Sequence, residues 1–360
     1  MLSHTRRRLL SLLHRLSPRL HYWTVSAYHP IKARVFVWRH PKIVRTGPRI
    51  VLVSGEDGPD KLSVYGPVYA VYQTLRPHFD VDLSVHARFN ERHVRRIADT
   101  CPDLVLLSSD SGAWQEAFES YCIPLMGSSS EVSRLCYDKA AAKEWVKSLG
   151  IATAPYGTVR RGEESDAIVE RLGLPVVVKP RRSGSSQGLS KVGSQEDMRR
   201  AIRRALYWDA EALIEAYVPG EEFTCTVYGN RTPRTLPLNR KIMTFERAEV
   251  EARGEEVPVS RFPVLSPEQF VGEIRDRSVE IYKAFRCRDM VRIDWKYNRV
   301  TRTPCFLEIN TLPWIGRDGG NIQACAEAEG SSYDEFILEL FRGALERAQK
   351  TLSPEISKPW

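Results

Sequence analysis

Two short segments near the carboxyl end of the chain combine side chains that could bind a metal ion and phosphate. Arg292 and Asp294 lie two residues apart in RIDW, and Glu308 and Asn310 have the same spacing in FLEIN. Residues two apart on a strand share a face, so pairing of the two strands would bring these groups together. Carboxylate and amide oxygens suit Mg²⁺, which also binds phosphate oxygens. A surface ladder of salt bridges fits the same spacing.

A hydroxyl-rich loop follows an apolar strand pattern in the segment VVVKPRRSGSSQGLSKV, residues 176–192. Lys179 ends the strand, and the loop with Ser185 and Ser186 offers hydroxyl and backbone N–H groups that could cover a phosphate. The loop does not match GxxxxGK[ST], so it is not a P-loop. The simpler alternatives are a plain hairpin turn and solvated lysines, both at Lys179 and at Lys139 in the earlier Asp-Lys pair.

The distribution of histidine limits the chemistry of these residues. No histidine lies beyond residue 93, so a site in the last two-thirds of the chain must work without imidazole. This argues there against Ser-His-Asp or Cys-His nucleophilic catalysis and against histidine-ligated zinc. The remaining Lys, Arg, Asp, Glu, Ser and Asn side chains bind phosphates and Mg²⁺.

Positive charge is concentrated at the N-terminus. Residues 1–55 hold nine Arg, two Lys and no acidic residue, and the rest of the chain holds 42 basic against 45 acidic residues. This distribution weakens a nucleic-acid interpretation, and no nucleic-acid partner is expected. Residues 1–23 fit an organelle transit peptide, a helix in weak contact with a membrane surface, or a poorly ordered basic extension.

The cysteines indicate the compartment. The seven cysteines form no CxxC pair, which predicts reduced thiols in a cytoplasmic protein, with organelle targeting by the basic N-terminus as the alternative. No run of about 18 uncharged apolar residues is present, so no membrane-spanning helix is expected.

The first elements alternate between strand and helix patterns at 49–55, 65–76, 81–89, 90–100 and 103–109. This β-α-β-α-β order predicts a small parallel sheet covered by helices. The first turn, SGEDGP, is not a GxGxxG motif, so a dinucleotide site is not indicated.

The later elements carry the candidate site. Residues 128–150 open with N-cap serines and end at Gly150, which predicts one helix containing Lys139. The segment 331–350 predicts a closing helix with Ser at its start. Strands are predicted within IATAPYGTV, VVVKP, EALIEAYV, GEEFTCTVYGN, VRIDWKYN and PCFLEIN, and helices at SDAIVERLG and SQEDMRRAIRRAL.

Five segments in this order resemble the D-alanine–D-alanine ligase branch of the ATP-grasp superfamily: YDKAAAK, LPVVVKPRRSGSSQGLSKV, EAYVPGEEFT, RIDW and LEINTLPW. The resemblance spans about residues 49–348. It implies an α/β (α+β) ATP-grasp fold, with a small N-terminal parallel α/β domain followed by two ATP-grasp subdomains that clasp ATP. The expected division is a basic extension at 1–46, the N-terminal domain at 47–128, the central subdomain at 129–219, the C-terminal subdomain at 220–350 and a tail at 351–360.

The resemblance implies a set of nucleotide-contacting residues: Lys139, Lys179, Ser185, Ser186, Glu215, Val218 and Glu222. The two lysines would contact the phosphates, and the two serines belong to the loop that closes over them. Glu215 and the backbone near Val218 would hold the adenine of ATP, and Glu222 the ribose.

The resemblance also implies a metal site and catalytic groups. Asp294, Glu308 and Asn310 match the residues that bind Mg²⁺ (or Mn²⁺). The catalytic groups would be Arg292, which stabilises the transferring phosphoryl group, Ser185 of the closing loop, and Glu56 of the N-terminal loop. Asp57 and Asp60 compete with Glu56 for the acidic role, and Ser63 is the candidate serine of that loop.

The implied reaction is ATP-dependent ligation of an amino acid carboxylate to an amine through an acylphosphate. The substrates would be small amino-acid-like molecules, and the resemblance allows a homodimer. Residues 240–262 lack the family's Lys-Tyr pair, Pro313-Trp314 replaces Pro-Gly, and the segment around Gly319-Gly320-Asn321 lacks an expected serine. We therefore expect an acceptor other than D-alanine, and a specialised dipeptide or amide product. The alternatives are a true D-alanine–D-alanine ligase of cell-wall synthesis and an ATP-binding interaction protein without ligase activity.

Overall fold

The computed structural model describes residues 47–55, 65–86, 89–108, 112–184, 186–241, 262–264, 268–298, 300–317 and 321–352. Contacts between Cα atoms divide the chain into two units. The first comprises Met1–Ser130, Trp314–Gln323 and Ser332–Trp360, and the second comprises Glu131–Pro313 and Ala324–Ser331.

The first unit contains the parallel sheet that the alternating pattern predicts. Strand β1 pairs in parallel with β2 on one side and β3 on the other. Val51, Val53 and Val105 pack against Trp114 and Phe118 of a covering helix. The described elements of this region are β1 Arg49–Gly55, α1 Tyr65–Leu75, β2 Asp80–His86, α2 Glu91–Ala98, β3 Leu104–Leu107 and α3 Gly112–Ser120.

The second unit begins with a four-stranded antiparallel sheet in the order β4-β7-β5-β6. Apolar residues of its strands, including Val176, Val178 and Ile214, are buried against Met198 and Ala201 of a helix. The elements from residue 130 onward are α4 Ser130–Tyr137, α5 Lys139–Ser148, β4 Tyr156–Arg160, α6 Asp166–Leu172, β5 Val176–Pro180, β6 Ser190–Val192, α7 Gln195–Ala205 and β7 Glu211–Ala216.

A second sheet in the same unit has the order β11-β10-β8-β12-β13, with β9 also paired to β8. Strand β12, Met290–Asn298, buries Trp295, whose indole N–H donates to Ser278 Oγ at 3.0 Å, and Phe306 packs edge-on against that indole. The elements are β8 Glu221–Tyr228, β9 Arg234–Thr235, β10 Leu238–Lys241, β11 Phe262–Val264, α8 Gln269–Ala284, β12 Met290–Asn298 and β13 Thr303–Asn310. The sequence predicts β8, β12 and β13 but not β9, β10, β11 or α8.

The structure corrects the prediction of one helix over 128–150. The helix is divided into α4 and α5 because Asp138 has extended backbone angles and caps α5, accepting a hydrogen bond from the Ala141 N–H at 3.1 Å. The Arg181 guanidinium donates to the same carboxylate at 2.7 Å, which holds the break against the end of β5.

The last two elements are α9 Asn321–Ala328 and α10 Tyr333–Leu352. Contacts between Cα atoms group α10 with the first unit. The predicted end of the C-terminal subdomain at residue 350 stays a prediction. The Arg347 guanidinium donates to the Leu125 carbonyl at 2.7 Å, and the Thr74 hydroxyl donates to the Asp334 carboxylate. These contacts tie α10 to α1 and to the segment that follows α3. The other predicted domain boundaries stay predictions.

All seven cysteines are free thiols in the structure, as the sequence predicts. Among the described helices, none has the length and apolar character that crossing a membrane requires. The basic extension at residues 1–46 and the tail at 353–360 lie outside the described residues.

A glycine controls the turn that joins the two sheets of the second unit. Gly220 has φ near +121°, a region that only glycine adopts readily. A Cβ at this position would lie 2.1 Å from the Tyr297 carbonyl oxygen. The Gly220 carbonyl also accepts a hydrogen bond from Lys296 Nζ at 2.9 Å, which fixes the start of β8.

We predict that Gly220→Ala lowers the free energy of unfolding by at least about 2 kcal/mol, because the backbone must leave a glycine conformation and a clash must be relieved. Urea unfolding followed by tryptophan fluorescence measures this change. Gly272→Ala is the matched control, since Gly272 lies in α8 with no atom within 4 Å of an added Cβ. That control should be neutral or stabilising by up to about 1 kcal/mol. Equal stability of the two variants would contradict the prediction.

Candidate active site

The polar face of the β12–β13 ladder carries the predicted metal and phosphoryl residues. Asp294 lies opposite Glu308 in the antiparallel register, and Arg292 lies opposite Asn310. Ile293 and Ile309 alternate with them and are buried in the core on the other face. The structure therefore brings the four side chains together as their spacing predicts.

Arg292 and Asp294 form a bidentate ion pair. The guanidinium donates from Nε to Oδ1 at 2.8 Å and from Nη2 to Oδ2 at 2.9 Å. Burial alone would lower the pKa of Arg292, but Asp294, Glu308 and Glu222 hold it above its usual range. The guanidinium is therefore a fixed positive charge beside the two carboxylates.

Glu308 is surrounded by cations from both sheets. Burial would raise its pKa, but Lys139, Lys179, Lys241 and Arg292 lower it to about 2. The nearest described ammonium is that of Lys139, at 3.8 Å from Oε2. Two neighbouring carboxylates with no cation beside them would repel each other or bind protons. Here the surrounding cations keep Glu308 ionised.

Lys179 is held by a buried carboxylate. Its ammonium lies 2.9 Å from Glu215 Oε1, and that oxygen is also 3.3 Å from Lys143 Nζ. Burial opposes the charge on Glu215, but the two lysines lower its pKa. Glu215 does not line the cavity described below, and its predicted contact with adenine stays a prediction.

Lys143 is a residue that the sequence analysis misses. Its side chain is fully buried, and its ammonium donates to the Thr153 hydroxyl at 2.8 Å. Burial is the main cause that lowers its pKa. The signal in the sequence is its position four residues after Lys139, which places both lysines on one face of α5.

Lys139 is positioned by the helix break. It is the first residue of α5, and its backbone N–H donates to the Arg181 carbonyl at 3.1 Å. Its ammonium donates to the Ser183 carbonyl of the hydroxyl-rich loop between β5 and β6, residues 181–189, which we call the Gly-Ser loop. Burial and the neighbouring Lys179 lower the pKa of Lys139, while Glu308 opposes that effect.

The Gly-Ser loop borders a cavity between the two sheets of the second unit. Ser186 adopts a left-handed φ of 56°, which costs a non-glycine residue of the order of 1 kcal/mol. The side chains and backbone that line the cavity belong to Lys139, Lys179, Ser183, Gly184, Ser186, Gln187, Leu189, Glu222, Lys241, Asp294, Leu307 and Glu308.

Lys241 is a second residue that the sequence analysis misses. It ends β10 directly opposite Glu222 of β8, and its ammonium lies 2.9 Å from Glu222 Oε1 and 3.6 Å from Asp294 Oδ2. Burial opposes its charge, but Asp294 and Glu222 raise its pKa. Burial and Asp294 raise the pKa of Glu222, against the effect of Lys241.

The other predicted site residues are placed as follows. Val218 is half-buried in the connection between β7 and β8, and Trp314 is half-buried with an indole N–H that has no partner among the described residues. Glu56, Asp57, Asp60, Ser63, Ser185 and Gly319–Gly320 lie outside the described residues. Their roles stay predictions.

The oxygen donors of the site fit a hard divalent ion. Asp294, Glu308 and Asn310 lie on one face of paired strands, and Mg²⁺ accepts a few protein oxygens together with water and phosphate. Glu222 Oε2 is buried without a hydrogen-bond partner in the described part of the chain, as expected of an acceptor that awaits a ligand. Asn310 Nδ2 is likewise unpaired there, but an amide N–H group can only donate to a ligand and cannot bind the metal. No group of three or more His, Cys, Asp or Glu suited to a metal occurs among the described residues. The set that the resemblance implies has two carboxylates, and its third member is the amide of Asn310.

Comparison with known proteins identifies the class and then the family. The D-alanine–D-alanine ligase of Bacillus anthracis complexed with ATP is similar in structure, with a TM-score of 0.69 and 22% identity over 84% of this chain and 99% of that chain. The VanG D-Ala:D-Ser ligase of Enterococcus faecalis also has a TM-score of 0.69, with 21% identity over 83% of this chain and 100% of that chain. The fold is thus the ATP-grasp fold.

The sequence comparisons are more specific. The family model for the D-ala D-ala ligase C-terminus matches residues 145–342. D-alanine–D-alanine ligase A of Chromobacterium violaceum is 33% identical over 256 residues, which is 67% of each chain. The chain belongs to the D-alanine–D-alanine ligase family and is an ATP-grasp enzyme, an ATP-dependent ligase.

We predict that Lys143→Met lowers the free energy of unfolding by about 3 kcal/mol, because it removes one partner from a buried ionic cluster. Chemical unfolding at neutral pH measures the change. Lys147→Met is the matched control: Lys147 is exposed on the same helix, and its replacement should change stability by less than about 0.5 kcal/mol. A Lys143→Met variant as stable as the control would show that the buried ammonium contributes nothing net.

Proposed function

We propose that the protein joins two molecules of D-alanine with the cleavage of ATP to ADP and phosphate. The observation that carries the chemistry is the position of Asp294 and Glu308 on one cavity with Lys139 and Lys179. The names of the relatives favour D-alanine as both substrates, against the expectation of another acceptor that the sequence departures suggest. D-Alanine is therefore the acceptor to test first.

In the proposed reaction a carboxylate oxygen of the first amino acid attacks the γ-phosphorus, and the bond to ADP breaks. The resulting acylphosphate is attacked at its acyl carbon by the amine of the second amino acid. The C–O bond breaks, phosphate leaves, the nitrogen loses a proton, and an amide remains. Little side-chain covalent chemistry is needed, since positioning and charge neutralisation supply most of the catalysis.

The basic residues of the cavity suit the phosphoryl transfer. Lys139 and Lys179 would neutralise charge on the phosphates, because both ammonium groups are buried and line the cavity. Arg292 would stabilise the charge of the transferring group, since its bidentate bond to Asp294 fixes its orientation. Ser185 and Ser186 would close over the phosphates and exclude water from the acylphosphate.

The proposed nucleotide contacts extend along β7 and β8. Glu215 and the backbone near Val218 would hold adenine, and Glu222, whose Oε2 has no described partner, would accept hydrogen bonds from the ribose hydroxyls. Asp294, Glu308 and Asn310 would hold Mg²⁺ or Mn²⁺. When bound there, the ion would supply positive charge to the phosphate oxygens.

A second candidate is a ligase of the same chemistry with a bulkier acceptor. The specific observation is Trp314, which follows Pro313 where the family has Pro-Gly. An indole at this position would leave less room for D-alanine or would contact a larger amine substrate. The proposal also includes small amino-acid-like molecules as substrates, assembly as a homodimer and a cytoplasmic location.

The test is a phosphate-release assay with ATP, Mg²⁺ and D-alanine, with the product identified by mass spectrometry. D-Alanyl-D-alanine as the main product supports the first proposal. Turnover that requires D-alanine together with another amine, such as D-serine or a larger D-amino acid, favours the second. Absence of amine-dependent ADP and phosphate formation across an amino acid panel would overturn both.

We predict that Lys179→Ala reduces the rate of ligation at saturating ATP by at least about 100-fold, as expected when a charge-stabilising group is lost. Phosphate release and circular dichroism together measure activity and folding. Lys191→Ala is the matched control, because Lys191 is exposed on the next strand, β6, opposite Val177. A Lys179→Ala variant with wild-type turnover would exclude this lysine from the site.

A further inference from the structure

From the position of Lys241 we infer that this residue is a third phosphate-binding cation, which approaches the nucleotide from the sheet opposite to Lys179. The inference deepens the proposed function and depends on ATP binding in this cavity. The roles carried over from the family resemblance do not include Lys241, and the lid segment that begins there departs from the family pattern.

The first argument is the location of the ammonium. Lys241 lines the same cavity as Lys139, Lys179 and the Gly-Ser loop. Its Nζ lies between Glu222, proposed to hold the ribose, and Asp294, proposed to hold the metal. A triphosphate that runs from the ribose to the metal passes this point.

The second argument is the hydrogen-bonding capacity of the group. An ammonium has three N–H donors. Within the described residues, Lys241 Nζ has one carboxylate oxygen at hydrogen-bond distance, Glu222 Oε1, while the contact with Asp294 at 3.6 Å is too long for a hydrogen bond. The side chain is 29% exposed, toward the cavity that it lines, so a phosphate oxygen can reach the ammonium.

Successive side chains on β10 point to opposite faces of the sheet, which distinguishes Lys241 from its neighbour. Arg240 precedes Lys241 and points to the opposite face, where its guanidinium pairs with Glu221 at 2.9 Å. Arg240 is more exposed and does not line the cavity. Arg240 and Lys241 are thus adjacent cations that each pair with a glutamate, but only Lys241 faces the proposed nucleotide.

The experiment compares the binding of ATP, ADP and AMP, each with Mg²⁺, to the full-length protein by isothermal titration calorimetry. We expect Lys241→Met to weaken the binding of ATP and of ADP at least about tenfold, which is the effect of losing one charge-assisted hydrogen bond. The binding of AMP should weaken less than about twofold. Lys241→Arg should recover part of the loss, because it keeps the charge. Arg240→Met is the matched control and should leave all three affinities within about twofold.

The outcomes separate this inference from its alternatives. Equal weakening of ATP, ADP and AMP would overturn it, because Lys241 would then act only by positioning Glu222 at the ribose. Unchanged affinities, or an equal loss in Arg240→Met, would also overturn it. Should Lys241→Met fail to fold by circular dichroism, Lys241→Gln replaces it as the variant without the charge, and Lys241→Arg remains the variant that keeps it. If the wild-type protein binds none of the nucleotides, the proposed function is overturned as well. If the wild-type protein binds them and the variants bind them equally well, this inference alone is overturned.

Discussion

The structure of the second unit depends on balancing buried opposite charges. Lys143, Lys179, Glu215 and Asp294 are each nine-tenths or more buried, and a buried charge without a partner costs several kcal/mol. Their positions are therefore constrained as a group. Glu215 fixes Lys179, Lys143 fixes Glu215, and the helix break at Asp138 brings Lys139 to the same cavity. These contacts hold α5 against the first sheet, because Lys143 lies on the helix while Glu215 and Lys179 lie on β7 and β5.

The contacts within this cluster differ in strength, and the difference has a functional consequence. Lys179 lies 2.9 Å from Glu215, and Arg292 is bidentate on Asp294. Lys139 is 3.8 Å from Glu308, and Lys241 is 3.6 Å from Asp294. Long contacts of this kind gain less Coulomb energy. In the proposed complex, Lys139 and Lys241 would therefore lose little attraction to these carboxylates on turning toward phosphate oxygens.

The sequence predicts local parts of the site well because strand geometry is local. Alternation on β12 and β13 places Arg292 with Asp294 and Glu308 with Asn310, and the structure agrees. The sequence does not predict that Lys241 belongs to the site, because its position depends on the pairing of β10 with β8, and β10 is only four residues long. The break at Asp138 was missed because N-cap serines and apolar spacing fit one long helix, whereas a tertiary contact with Arg181 decides otherwise.

The separation of nucleotide and acceptor elements explains why family membership predicts the chemistry more firmly than the substrate. Phosphoryl transfer needs cations on rigid elements, and Lys139, Lys179 and Arg292 lie on α5, β5 and β12. Loops carry substrate selection in most enzymes because they tolerate change without disturbing the core. Cations from both sheets would also give the phosphates a structural role. In the proposed complex, a triphosphate bound to Lys179 on one side and Lys241 on the other would cross-link the two sheets.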